Sequence, residues 1–245
     1  MASSEGTPNP FQPPRDHDDF VPTQVVAGDR PLGGLATMVL VMLGLVVVVD
    51  LALLYYLVVE IRAFGELQAG RTIDVALIRE QEQTMGLVVI ASIAALLASA
   101  VVWSIWAYRA ATNLRSLGLE MLEYTPGSMV WWWFVPFLNW VRPLQAITEL
   151  WKGSAAAAQG RPGDWPSFEA PKYFVVWWGL WVARAIFGAI SQQVGKSEDL
   201  STLQIAFVLD LVGYVALIAA APLAAKLVME ITRLQAQAVT RSAGR

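Results

Sequence analysis

The chain has 245 residues, a formal charge of −3, no Cys and a single His. Hydrophobic residues make up 56% and charged residues 15%, against about 25% charged in soluble domains, and the mean hydropathy is +0.50. These values exclude a strongly basic nucleic-acid binder, a disulfide framework, a thiolate nucleophile, and any His-based triad or multi-His zinc site.

Residues 1–31 hold six of the 13 Pro and show no helical period. Such a segment is predicted to be a disordered cytoplasmic tail. Pro13-Pro14 could dock a partner, but the composition favours plain disorder. The N-terminus lacks the basic start and apolar core of a cleaved signal, so the first span is expected to direct insertion.

The first long apolar run covers 35–59, with Asp50 its only charge. The loop 60–85 mixes both signs at helical spacing and reads as solvated extensions of the flanking spans. The second run, 86–108, carries no charge and is rich in Ala and Ser. Small residues permit close helix approach, which predicts a central place for this span.

Residues 129–140 read MVWWWFVPFLNW. The apolar stretch 129–141 ends at Arg142 and would reach about 20 Å as a helix. The hydrocarbon core is about 30 Å thick. Pro136 removes a backbone donor, and Trp favours the headgroup level. The expectation is a re-entrant or interfacial segment with Trp131, Trp132, Trp133 and Trp140 as anchors, and with Asn139 serving backbone groups at a reversal. Pro143 suits a first helical turn. Beyond it Leu144, Ile147 and Trp151 fall on one face, and Gln145, Glu149 and Lys152 on the other. That spacing predicts an amphipathic cytoplasmic-face helix in the interface plane, ending near QGRPGDWP and closing a unit over 129–159.

Two further runs, 173–194 and 203–225, carry one charge each, Arg184 and Asp210. Each of the four runs is long enough to span, and backbone groups in lipid must bond internally. The predicted fold is therefore an all-α polytopic membrane bundle of four transmembrane helices. The membrane domain is expected over 32–230, with 231–245 as a cytoplasmic C-terminal tail. If the Trp stretch does not cross, one side carries only Arg62, Arg71, Arg79 and Lys196. Apart from Arg184, every other Lys and Arg then lies on the other side, with both termini. Cytoplasmic loops are enriched in Lys and Arg, so both termini are predicted to be cytoplasmic.

The segment 113–154 resembles the signature of domain of unknown function family 4328, found largely in actinomycetes. The residues that carry the resemblance are Asn113, Leu117-Gly118, Thr125-Pro126-Gly127, Trp132-Trp133-Phe134-Val135-Pro136, Asn139, Arg142-Pro143, Glu149-Leu150-Trp151 and Ser154. It extends from the first span to roughly residue 230. The resemblance implies a multi-pass bacterial plasma-membrane protein and carries no activity with it.

Asp50, Arg184 and Asp210 share a depth if both termini lie on one side. An intramembrane charge is costly and marks a pair or a wet path. The trio is either an ion-pair staple or a site for a polar substrate or proton. Trp177 and Trp181 could stack on Arg184 or face lipid. No phosphate loop, nucleotide fingerprint, metal motif or nucleophile elbow is present in the sequence, so no catalytic residue, metal or cofactor is expected. The expected function is a non-enzymatic scaffold or regulatory protein in the lipid bilayer, with a membrane or cytoplasmic protein partner and no nucleic acid. The alternative is a transporter or channel-like protein that uses the Asp/Arg/Asp cluster.

Overall fold

The computed structural model describes residues 31–71, 75–197 and 199–244. The Pro-rich tail, with Pro13-Pro14, lies outside the described residues. Among the described residues there are six α-helices: α1 (Gly33–Gln68), α2 (Val75–Ser116), α3 (Ser128–Trp131), α4 (Arg142–Ala158), α5 (Tyr173–Val194) and α6 (Leu200–Ala243). Among the described residues there is no strand. Four helices are long and apolar enough to cross a membrane, namely α1, most of α2, α5 and nearly all of α6. This is the all-α, four-span membrane bundle that the apolar runs predict.

Three of these helices overrun their apolar runs. α1 and α2 continue into the connecting loop as helical extensions. α6 passes unbroken through Pro222 to Ala243. The sequence reading set 231–245 apart as a tail. Instead Ile231, Gln235 and Ala238 are buried, because a polar flank can continue a helix whose inner face stays apolar. Asp199 caps the start of α6, accepting the Thr202 N–H at 3.0 Å.

The chain runs up α1, down α2, up α5 and down α6. α1 and α6 are antiparallel, with Gln68 bonded to Gln204 at one end of the bundle and Phe64 edged onto Phe207 nearby. α5 and α6 are also antiparallel, from Ser191–Asp210 to Tyr173–Glu230. α6 packs on α1, α4 and α5 and is the central helix. α2 is not central: its apolar stretch is the least buried of the four spans. Small side chains allow contact but do not enforce it, and lipid tails solvate Ala as well as a neighbouring helix does.

The main core lies at the end where α2 and α6 finish and α5 begins, called here the α4 end. Trp106, Phe174, Leu227, Val228 and Ile231 are fully buried there. α4 runs beside the last turns of α6 in the same direction: Ser154 meets Gln235, and the Gln159 carbonyl meets Arg241. Its apolar stripe rests on protein, with Ile147 and Leu150 fully buried. The expected helix in the interface plane is thus a packed part of the bundle, and its last turns, Gly153 to Ala157, are buried throughout. A short 3-10 segment, Pro162–Ser167, then leads to α5.

Candidate functional site

Two polar constellations interrupt the apolar architecture. The first surrounds the Trp segment. Its start and finish meet: Arg142 Nη1 lies 2.7 Å from Glu123 Oε1 and 3.0 Å from the Tyr124 hydroxyl. The guanidinium also stacks 5.6 Å from the Trp132 ring centre. Hydrogen bonds to Tyr124 and then Glu123 hold Arg142 above the usual guanidinium value. A segment whose two ends are joined returns to the end of the bundle it left.

Inside this clasp, Thr125, Pro126 and Gly127 turn the chain. Ser128 N–H donates to Thr125 Oγ1 at 3.1 Å, and Ser128 Oγ donates to the Thr125 carbonyl at 2.8 Å. α3 lasts one turn. The chain reverses at Phe137, which has φ 65°, while Leu138 N–H donates to the Pro136 carbonyl at 2.8 Å. This is the rare, strained γ-turn, of order 1–3 kcal/mol for a non-Gly residue. Pro136 cannot continue a helix, so the segment folds back instead of crossing.

Trp133 anchors the segment against the bundle. Its ring makes edge contacts with Trp103 of α2 and with Trp178 and Trp181 of α5. Its indole N–H donates to the Met129 carbonyl at 3.1 Å, and that of Trp178 to the Trp140 carbonyl at 2.9 Å. The sequence reading put the three Trp indoles at the headgroups. Only Trp131 of the three is largely exposed; Trp132 Nε1 and Asn139 Oδ1 are buried without a partner among the described residues. Asn139 therefore does not serve the reversal through its oxygen.

The helical spacing puts Glu149 on the polar face of α4. It is buried and accepts the backbone N–H groups of Glu123 and Tyr124 at 2.8 and 3.0 Å. Burial raises its carboxyl above the usual range, and the two donors pull the other way. Gly118 carries the positive φ of 78° that ends α2, a conformation open to Gly without strain, and Leu119 N–H closes onto the Leu114 carbonyl. Asn113 donates to Gln235 Oε1 at 3.1 Å, and Gln235 Nε2 donates to the Ala110 carbonyl and to Ser154 Oγ. Pro143 starts α4, and Trp151 edges onto Phe174. Asn113, Gly118, Pro126, Trp132, Trp133, Pro136, Arg142, Pro143 and Glu149 thus build one clasp that joins α2, the Trp segment and α4.

The second constellation lies along the spans. Asp50 is on the buried stripe of α1 with Ala36, Val39, Leu53 and Leu57. It is 3% exposed, and its Oδ2 has no hydrogen-bond partner among the described residues. Asp210 accepts from Ser191 Oγ at 2.6 Å. Arg184 forms no ion pair with either acid among the described residues. Its guanidinium lies 4.6 Å from the Tyr214 ring centre, close enough to interact electrostatically with Asp50. Tyr214 feels all three charges and was not singled out from the sequence; an aromatic one turn from Asp210 was its only signal. Trp177 and Trp181 do not stack on Arg184: Trp177 is buried against Trp103, and Trp181 stacks on Trp178.

The family model described as Domain of unknown function (DUF4328) matches residues 69–233, and the chain belongs to that family. The match begins after α1 and not in the first span, so it contains the clasp, Arg184 and Asp210 but not Asp50. No curated protein and no solved structure matches the chain.

Proposed function

We propose that this family member is a non-enzymatic, transport-type membrane protein that handles a small polar solute or ion at the Asp50–Arg184–Asp210 cluster. The carrying observation is Asp50 Oδ2, buried halfway along an apolar span with no hydrogen-bond partner among the described residues. A buried polar atom left unmatched is costly. A purely structural staple would close, with Arg184 bonded to both carboxylates; here it lies on Tyr214. One support of the scaffold reading is an interfacial helix free for partners, and the burial of α4 reduces that surface. We infer a plasma-membrane location with both termini cytoplasmic, on the Lys and Arg asymmetry, with the lipid bilayer as the main surroundings and no nucleic-acid partner.

Reconstituted vesicles test the reading. Wild-type protein should raise the flux of protons, sodium, potassium or a small solute above that of empty vesicles, and Asp50→Asn should remove the increase. No flux for any of these, together with a stoichiometric co-purifying protein that requires residues 125–160, would return the scaffold reading.

A further inference from the structure

We propose that Asp50 is a proton-binding site, and that its ionisation draws the Arg184 guanidinium off Tyr214 toward the bare carboxylate. This deepens the transport reading and takes its physiological meaning from it, but the chemistry stands on the geometry. An ionised Asp50 places a negative charge in an apolar surround, where an unbalanced charge is costly, and one proton removes it. The proton comes from a hydronium ion, whose O–H bond breaks to leave water as the Asp50 Oδ2–H bond forms, and it leaves by the reverse step.

The contacts distinguish the two acids. Asp210 already accepts a hydrogen bond from Ser191 at 2.6 Å. Asp50 is 3% exposed and its Oδ2 accepts none. An ionised Asp50 would attract the Arg184 guanidinium, which acts on it electrostatically, since an unpaired buried charge is strongly unfavourable. The place of Arg184 over Tyr214, 4.6 Å from the ring centre, is that of a cation facing a neutral acid.

The Tyr214 seat is shaped for the guanidinium. A Cβ on Gly188 would lie 2.5 Å from Arg184 Nη1, and one on Gly213 would lie 3.1 Å from Arg184 Cδ. Both glycines leave the room that the arginine fills. The charged group that acts on Asp50 is Arg184 from α5, and Tyr214 of α6 interacts with Asp50, Arg184 and Asp210. Glu82 of α2 and Asp210 of α6 act on Glu60, further along α1. A bound metal cation would need several oxygen ligands together; a proton needs one.

Infrared difference spectra of the full chain in lipid nanodiscs provide the test, with pH varied in sodium chloride and in choline chloride. A carboxylic-acid band should vanish reversibly on alkalinisation, be absent in Asp50→Asn, remain in Asp210→Asn and ignore sodium. Gly188→Ala meets only the flexible end of Arg184 and displaces it from the seat. At a fixed pH its acid band should be weaker, because the freed guanidinium favours the carboxylate. A band that survives in folded Asp50→Asn, that follows sodium instead of pH, or that is unchanged in Gly188→Ala overturns the proposal. Should Asp50→Asn fail to fold, Asp50→Glu must shift the band in frequency, and an unshifted band has the same adverse meaning. None of these readouts depends on flux. Vesicles without transport but with a titrating Asp50 band would remove the transport reading and leave the proton site standing.

Discussion

Glu149 holds two backbone N–H groups of the Glu123–Tyr124 turn from a buried position on α4. Glu149→Ala strands both donors, at about 1–3 kcal/mol for each, and should lower the melting temperature in detergent clearly. Glu149→Gln keeps one acceptor and should cost less. The pH dependence has a definite sign. Burial raises the folded-state carboxyl above its ordinary value of 4.5, so the folded protein binds this proton more readily than the unfolded chain. Its contribution is full below the ordinary range and is lost as pH rises through the raised value. The melting advantage of wild type over Glu149→Gln should therefore shrink as pH rises from that range. A widening gap would mean that the two N–H donors outweigh burial. The Glu149-Leu150-Trp151 motif marks Glu149 in the sequence but not its burial, because its partners lie in a distant loop and its helical spacing puts it on a polar face. Asp50 was legible, as the one charge in an apolar run that continues the stripe of Ala36, Val39, Leu53 and Leu57.

At the scale of elements, the Trp segment is a folded-back wedge held by one ring. Trp133 touches Trp103, Trp178 and Trp181, whereas Trp131 is 64% exposed. Trp133→Ala should cost about 3–5 kcal/mol, the range for a large core ring, and Trp131→Ala should be near neutral in a thermal melt. Equal melting temperatures for the two variants would mean that the wedge is not seated on α2 and α5. Asn139→Leu should also be near neutral or mildly stabilising, because its buried oxygen has no partner to strand and removing an unmatched polar atom relieves a cost. A loss of more than about 1 kcal/mol would reveal a partner for that oxygen. The failure to cross was readable from length and Pro136. The seat of each indole was not, since three adjacent Trp point in different directions and only the neighbouring helices decide which one is buried.

On the scale of the whole molecule, the joined ends of the Trp segment fix the direction of everything after it. Arg142 clasps Glu123 and Tyr124, so α4, the 3-10 segment and the start of α5 share one end of the bundle with the close of α2. In the orientation proposed above from the Lys and Arg asymmetry, that end is the cytoplasmic one. Single cysteines can test this without interference, since the chain has none. Ser154 suits the purpose poorly, being buried and bonded to Gln235. Thr125→Cys and Ser167→Cys are exposed at the α4 end, and Gln83→Cys is exposed toward the other. In intact cells a membrane-impermeant maleimide should label only Gln83→Cys; after permeabilisation all three should react. If Ser167→Cys labels from outside while Thr125→Cys does not, the Trp segment crosses the bilayer. The Arg142–Glu123 clasp could not then form, since its partners would face opposite solvents across a core of about 30 Å. If Thr125→Cys and Ser167→Cys label together from outside, the clasp survives and the charge asymmetry has misjudged the orientation of an otherwise intact bundle.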